Sequence, residues 1–167
     1  MVHPASEADD ALLEASQITF LRRSGPGGQH RNKTETAVIV QHNETGLRGE
    51  ANERRSQAEN RRLAIFRLRL VLAVGVREPI DEESSVSELW KNRIKNHRLS
   101  ISDEHADFPS ILSEALDCIA SNEYQVDVAA TRLLVSSSQL VKLLKQHRPA
   151  FELVNRQRQA RNFGFLK

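Results

Sequence analysis

The chain has 167 residues, of which 39% are hydrophobic and 28% are charged, a composition typical of one or two small globular domains. The single cysteine excludes an internal disulfide and no apolar run approaches a membrane span, so we expect a cytoplasmic protein with no membrane partner. The net charge of +2 is unevenly distributed: residues 16–77 carry twelve Lys and Arg against five Asp and Glu, 81–127 four against eleven, and 140–167 seven against one. Two basic regions around an acidic one indicate a polyanionic partner.

The first 78 residues are predicted to form a small α+β unit. Residues 1–15 form a polar lead-in with at most a short helix. Clusters of β-branched and apolar residues predict three strands in a mostly antiparallel sheet, at 17–21, 37–40 and 47–51. A long helix then begins with a capping box of Ser56 and Glu59 and continues to Gly75. A short helix is predicted at 32–36.

Residues 79–167 are predicted to form an all-helical region. The expected helix starts are a capping box of Ser85 and Glu88, then Pro109, Val126, a cap of Ser136 with Gln139, and Pro149. The first of these helices is expected to include Trp90, Ile94 and His97, and the last to stop near Gly164. The overall expectation is therefore an α+β fold followed by a helical C-terminal region.

A tight turn follows the first predicted strand, where Gly25, Pro26, Gly27 and Gly28 stand in a row. Nothing apolar anchors this turn, which ends on Gln29 with arginines on both sides. Glycine-rich loops that add no side chain to a core bring the backbone close to a ligand. The surrounding arginines indicate that this ligand is anionic.

The turn lies within a longer pattern. It reads Arg22-x-Ser-Gly-Pro-Gly-Gly-Gln-His-x-Asn-Lys-Thr34, continues at His42-x-x-Thr45-Gly46, and resumes at Arg55-Ser56-Gln57-x-x-Asn60. The Gly-Gly-Gln triplet alone is a weak signal because glycine is common, but the full string is specific. It resembles the catalytic domain of class I peptide chain release factors and their short ribosome-rescue relatives over about residues 16–75.

The resemblance implies a catalytic domain over residues 16–78 that hydrolyses the ester joining a nascent peptide to tRNA, with no cofactor. Gly27, Gly28 and Gln29 are the implied catalytic residues, and the partners are the RNA of the large ribosomal subunit and peptidyl-tRNA. The main-chain N–H of Gln29 can donate to the developing oxyanion or to the leaving 3′ oxygen. Its side-chain amide orients or excludes water but does not titrate, and is implied as a site of N-methylation.

Other residues of the pattern have supporting roles. Loop support is expected from Ser24, Gly25, Pro26, His30 and Asn32. Contacts with ribosomal RNA phosphates are expected from Arg22, Arg23, Arg31, Lys33, Arg54, Arg55, Arg61 and Arg62. For Arg67 and Arg69, further along the predicted helix, the alternative is a solvated polar face.

The chain departs from the family pattern in four respects. Arg31 replaces a residue that is usually aliphatic, and Glu44 replaces a frequent proline. No tripeptide that would read a stop codon stands in a suitable context, and a helical region replaces the basic tail of the short relatives. We therefore expect codon-independent hydrolysis of peptidyl-tRNA on stalled ribosomes.

Residues 127–144 resemble a helix-turn-helix. Ala129 and Ala130 would allow close helix contact and Val135 would lie in the turn, whose usual glycine is replaced by Leu134. The alternative is a packed helical hairpin. In the helix-turn-helix interpretation this region binds a further RNA or protein partner, and the expected nucleic-acid contacts are Gln139, Lys142, Lys145, Arg156, Arg158 and Arg161.

Other site chemistries fit poorly. The six histidines show no metal-ligand spacing, and the glycine turn lacks the lysine and hydroxyl of a phosphate-binding loop. Cys118 is expected in the core. Two further functions remain open: a non-catalytic ribosome- or nucleic-acid-binding factor, and a hydrolase of peptidyl-tRNA on a split large subunit.

Overall fold

The computed structural model of the protein describes residues 2–22, 36–81, 84–95 and 98–167. The chain separates into two compact units, Val2–Gly75 and Val76–Lys167. Across the described ranges, no helix combines the length and apolar character that crossing a bilayer requires.

The N-terminal unit is built on a three-stranded antiparallel sheet. Its strands are β1 (Ser16–Leu21), β2 (Ala37–His42) and β3 (Arg48–Ala51), in the order β1-β2-β3. Ser16 pairs with His42 at one end of β1, and Leu21 pairs with Ala37 at the other. The three strand predictions are confirmed, with small shifts at their ends.

One helix, α2 (Gln57–Gly75), packs along this sheet. The hydroxyl of Ser56 accepts the N–H of Glu59 at 3.4 Å, in agreement with the predicted N-cap. Ala64, Leu68 and Leu72 are fully buried. Gly49 of β3 permits the close approach, because a Cβ there would lie 2.1 Å from the carbonyl oxygen of Ala64.

The first residues of the chain also pack against α2. A 3-10 turn (Pro4–Ser6) and a short helix, α1 (Asp9–Glu14), precede β1. Ala5 and Leu12 are fully buried, and Arg69 of α2 donates to the Ala5 carbonyl at 2.8 Å and to Asp9 at 2.7 Å. This segment therefore contributes to the core of the N-terminal unit.

The C-terminal unit is mainly helical. Its elements are α3 (Glu88–Arg93), β4 (Ile94–Lys95), β5 (Arg98–Leu99), α4 (Phe108–Ser121), α5 (Val126–Arg132), α6 (Ser137–Gln146) and α7 (Arg148–Ala160). Buried residues of α4 form the centre of its core, and Trp90, fully buried, donates its indole N–H to the Leu133 carbonyl at 2.7 Å. The predicted helix starts at Pro109, Val126, Ser136 and Pro149 are confirmed within a residue or two.

The predicted start of α3 is wrong by two residues. The cap is Ser87, whose hydroxyl accepts the N–H of Trp90 at 3.0 Å and whose own N–H donates to Glu114 at 2.8 Å. The helix also ends earlier than predicted, because Ile94 enters the antiparallel pair β4–β5. His97, predicted to lie on this helix, is outside the described residues. The last helix ends at Ala160, four residues before Gly164.

Candidate functional site

The predicted catalytic loop itself lies outside the described residues. This applies to the catalytic Gly27, Gly28 and Gln29, to the supporting Ser24, Gly25, Pro26, His30 and Asn32, to the cations Arg23, Arg31 and Lys33, and to residues 32–35 of the predicted short helix. The structure describes the two strands on either side of it. Since Leu21 pairs with Ala37, residues 22–36 begin and end at adjacent strand ends.

Asn60 joins the chain after this loop to the start of α2. Its side chain is fully buried, and its amide nitrogen donates to the carbonyls of Thr36 at 2.7 Å and Arg54 at 2.9 Å. Its amide oxygen accepts the N–H of Arg54 at 2.9 Å. A carboxamide is required here because one side chain must donate twice and accept once. The motif that ends at Asn60 therefore joins Thr36, the first described residue after the glycine motif, to the residues before α2.

The His42, Thr45 and Gly46 motif shapes the hairpin between β2 and β3. The buried His42 ring places Nδ1 3.0 Å from the Thr45 hydroxyl oxygen, and Gly46 donates its N–H to the His42 carbonyl at 2.9 Å. Gly46 has φ +69°, a conformation that other residues adopt at a cost. Glu44, where the family often has proline, is exposed within this turn. The motif has a structural role in the described residues.

The predicted cations near this base are exposed. They are Arg22 after β1, Arg54 and Arg55 before α2, and Arg61 and Arg62 in its first turns. The structure brings the last four into one stretch of chain around Asn60. Exposed guanidinium groups in such a cluster can contact phosphates.

Arg67 and Arg69 have structural partners. Arg67 donates to the Glu50 carbonyl at 2.7 Å and pairs with Glu53, and this hydrogen bond lowers the pKa of the Glu53 carboxyl to about 2. Arg69 is buried and holds the N-terminal segment. Arg69 is therefore not part of a solvated face, whereas Arg67 has structural partners while its side chain stays 41% exposed.

The predicted cations of the C-terminal unit fall into two groups. Lys142, Lys145 and Arg156 are exposed on α6 and α7. Arg158 donates to the carbonyls of Tyr124 at 2.7 Å and Gly164 at 3.1 Å. The guanidinium of Arg161 lies 4.5 Å from the centre of the Tyr124 ring. Arg158 and Arg161 thus hold the end of the chain against the loop after α4.

The helix-turn-helix interpretation stays a prediction, but its turn has an unusual backbone. Ala129 and Ala130 of α5 are buried, and Ser136 accepts the N–H of Gln139 at 3.3 Å at the start of α6. Leu134 has φ +60°, at the position where the motif usually has glycine. A leucine side chain is sterically disfavoured in this left-handed conformation.

One buried acid was not predicted from the sequence. Asp117 of α4 accepts from the Arg77 guanidinium at 2.7 Å and from the N–H of Glu78 at 3.2 Å. Burial raises the pKa of the Asp117 carboxyl to about 6 despite the attraction of Arg77. Two residues separated by 40 positions give no local sequence signal, so only the tertiary structure brings this pair together.

The remaining chemistry predictions concern metals and the cysteine. Within the described ranges, no group of three or more His, Cys, Asp or Glu side chains is arranged to hold a metal ion. Cys118 is buried in α4, as predicted, and burial raises the pKa of its thiol to about 11. A thiol with that pKa is a poor nucleophile at neutral pH.

Comparisons with known proteins give a consistent result. A model of the RF-1 domain family matches residues 12–106, more than half of the chain. The chain is 28% identical over 151 residues to peptide chain release factor 1 of Frankia casuarinae, covering 78% of this chain and 42% of that relative. It is 37% identical over 108 residues to peptide chain release factor 2 of Thermomicrobium roseum, covering 59% of this chain and 29% of that relative. The chain spans less than half the length of these curated relatives, and no solved structure matches it.

Proposed function

This chain belongs to the class I peptide chain release factor family, and on that basis we propose that it hydrolyses the ester of peptidyl-tRNA on stalled ribosomes without reading a codon. The proposed partners are the large-subunit RNA and peptidyl-tRNA, in the cytoplasm. The catalytic residues of the proposal are Gly27, Gly28 and Gln29. In the reaction, water adds to the ester carbonyl, the carbon–oxygen bond to the tRNA 3′ oxygen breaks, and that oxygen takes a proton.

The observation that carries this proposal is the arrangement of the described residues before and after the glycine motif. The motif connects two paired strand ends, and buried Asn60 ties its exit at Thr36 to the start of α2. A fixed base supports a loop whose main-chain N–H must reach an oxyanion inside RNA, because preorganised donors stabilise developing charge most effectively. The exposed Arg54, Arg55, Arg61 and Arg62 supply positive charge beside that base.

Codon independence is the finer part of the proposal. It rests on the residues of this sequence, in which no decoding tripeptide stands in a suitable context. Hydrolysis on a split large subunit is a variant of the same chemistry, in which residues 79–167 contact tRNA or a partner protein.

A second candidate is a non-catalytic ribosome- or nucleic-acid-binding factor. The exposed Lys142, Lys145 and Arg156 on the last two helices favour it. In this case the glycine loop only docks, and the C-terminal unit provides most of the affinity through phosphate contacts.

The experiment that separates these candidates measures release of a labelled peptide by the full chain from three substrates. They are ribosomes stalled on a sense codon, ribosomes with an empty decoding site, and isolated large subunits that hold peptidyl-tRNA. The proposal expects release from stalled ribosomes with no stop codon present. Release from isolated large subunits alone would indicate the split-subunit variant, and binding without release from any substrate would reject catalysis.

A further inference from the structure

A polar groove opens on the surface of the C-terminal unit. It encloses about 720 Å³ between the end of α3, β5, the loop that follows it, and one face of α6. Its walls include Arg93, Arg98, Ser138, Lys142 and Gln146, and no carboxylate, phenylalanine, tyrosine or tryptophan is among its described lining residues. The neutral and cationic walls distinguish this groove from the acidic character of residues 81–127 as a whole.

Of the three cations in the groove, one forms an ion pair and two form none with the described residues. Arg93 is paired with Asp107, and its guanidinium nitrogen lies 3.2 Å from Nε2 of His105. Arg98 and Lys142 are exposed, and neither forms an ion pair within the part of the chain that the structure describes. The groove therefore presents two net positive charges together with serine hydroxyls and an amide.

The groove walls are held in place before any ligand binds. The N–H of Leu99 donates to the side-chain oxygen of Gln139 at 2.6 Å, which ties β5 to α6. The N–H of Ser100 donates to the Arg93 carbonyl at 2.9 Å. A preformed arrangement loses less conformational entropy on binding than a flexible one.

We propose that this groove binds the phosphodiester backbone of single-stranded RNA. Cations with hydroxyl and amide donors match phosphate and ribose oxygens, whereas base recognition in single strands uses aromatic stacking, for which the described walls offer one imidazole, that of His105. The volume is within the range of about 300–1,000 Å³ typical of ligand sites, so it holds more than one phosphate group. The choice of RNA over an acidic peptide rests on the proposed function at the ribosome.

The test measures binding of the full chain to a fluorescein-labelled oligouridine of about 16 nucleotides at several salt concentrations. The groove variant carries Arg98→Gln and Lys142→Gln. Its affinity at low salt is expected to fall roughly tenfold, and the slope of log affinity against log salt to fall by roughly 0.7 for each contact removed.

The matched control carries Lys91→Gln and Arg148→Gln, which remove the same charge from the same unit outside the groove. Both residues form exposed ion pairs, with Glu88 and Glu152, so the fold should be retained. Equal thermal unfolding midpoints for the two variants verify this. The control is expected to keep most of the wild-type slope.

Three outcomes decide between the possibilities. An unchanged slope in the groove variant overturns the proposal, as does tighter groove-dependent binding of labelled oligoglutamate than of RNA. A lower slope in the groove variant alone supports it. Because this assay contains no ester, a chain that binds RNA through the groove but releases no peptide would reject the proposed hydrolysis and leave the groove standing.

Discussion

At the scale of single residues, Asn60 connects the family motif to the geometry of the site. Its carboxamide bonds directly to the main chain of Thr36 on one side and Arg54 on the other. The Arg54 side chain beside it remains exposed. The motif thus combines one buried residue, which we propose positions the glycine motif, with several surface cations.

Replacing Asn60 with aspartate tests this positioning role. The carboxylate keeps the acceptor but loses both donors and faces two carbonyl oxygens, so the free energy of unfolding should fall by about 2–3 kcal/mol. Peptide release at a temperature where the variant is folded should fall by at least about tenfold, because a shifted base misplaces the loop. Urea unfolding and single-turnover release measure the two effects.

The control for this variant is Asn43→Asp in the exposed turn between β2 and β3. We expect little change in stability or release. A release rate for the Asn60 variant equal to wild type, with the stability loss present, would show that Asn60 has a structural role only.

The raised pKa of Asp117 predicts that the free energy of unfolding depends on pH. Its folded-state pKa of about 6 lies above the ordinary value of 3.8, so the folded state holds the proton more tightly than the unfolded state. The resulting stabilisation is fully present below about pH 4 and is lost as pH rises through 6. Relative to Asp117→Asn, the wild-type protein should lose on the order of 2 kcal/mol between pH 4 and 7.

Urea unfolding of both proteins across this pH range measures that difference, and other titrating groups cancel in the comparison. A difference that changes in the opposite direction would mean that attraction by Arg77 outweighs burial and lowers the pKa of Asp117.

At the scale of elements, the turn between α5 and α6 places a leucine in a backbone conformation that favours glycine. Leu134 adopts φ +60° and is 59% exposed, so its side chain adds little packing to offset the strain. The chain reverses here because Leu133 is buried before it and Ser136 begins α6 after it. The backbone of this turn is the one for which glycine is best suited.

Replacement of Leu134 with glycine should therefore raise the free energy of unfolding by up to about 1 kcal/mol, since relief of the steric cost exceeds the added entropy of the unfolded chain. Leu134→Ala is the control, because alanine retains the Cβ and so the strain. Thermal unfolding of the three proteins gives the ranking. A glycine variant less stable than the alanine variant would show that the left-handed conformation is not the native one.

The elements also show what the sequence can predict. The strands and α2 were predicted because β-branched runs, the Ser56 cap and the helical apolar period are local signals. The cap of α3 was misplaced because Ser85 and Ser87 offer similar patterns, and the choice is made by Glu114 from another helix. Strands of two residues, such as β4 and β5, are too short to show alternation.

The candidate site likewise has one part that the sequence could predict and one part that it could not. The glycine motif and its flanking cations were found from sequence, since they are contiguous. The bonds of Asn60 and the groove of Arg93, Arg98 and Lys142 depend on residues far apart in the chain. The contacts of Arg158 and Arg161 with Tyr124 were not predicted because the sequence does not show that Tyr124 lies beside them, and their binding to nucleic acid stays a prediction.

At the scale of the whole molecule, we propose different tasks for the two units. The N-terminal unit contains the paired strands before and after the glycine motif, and the C-terminal unit contains the groove that we propose binds phosphates. Loss of the groove should weaken RNA binding without removing ester hydrolysis at saturating protein. Loss of the catalytic residues should remove ester hydrolysis without weakening RNA binding through the groove.

The central claim is that residues 27–29 cleave the peptidyl-tRNA ester. The most direct measurement is single-turnover release of a labelled peptide from stalled ribosomes by a chain carrying Gly27→Ala, Gly28→Ala and Gln29→Ala, with the exposed strand variant Gln17→Ala as control. We predict a fall of at least about 100-fold for the loop variant, because the added methyl groups displace the main-chain N–H of residue 29 from the oxyanion and the Gln29 side-chain amide is lost, and wild-type release for the control. Undiminished release by a folded loop variant would contradict the account.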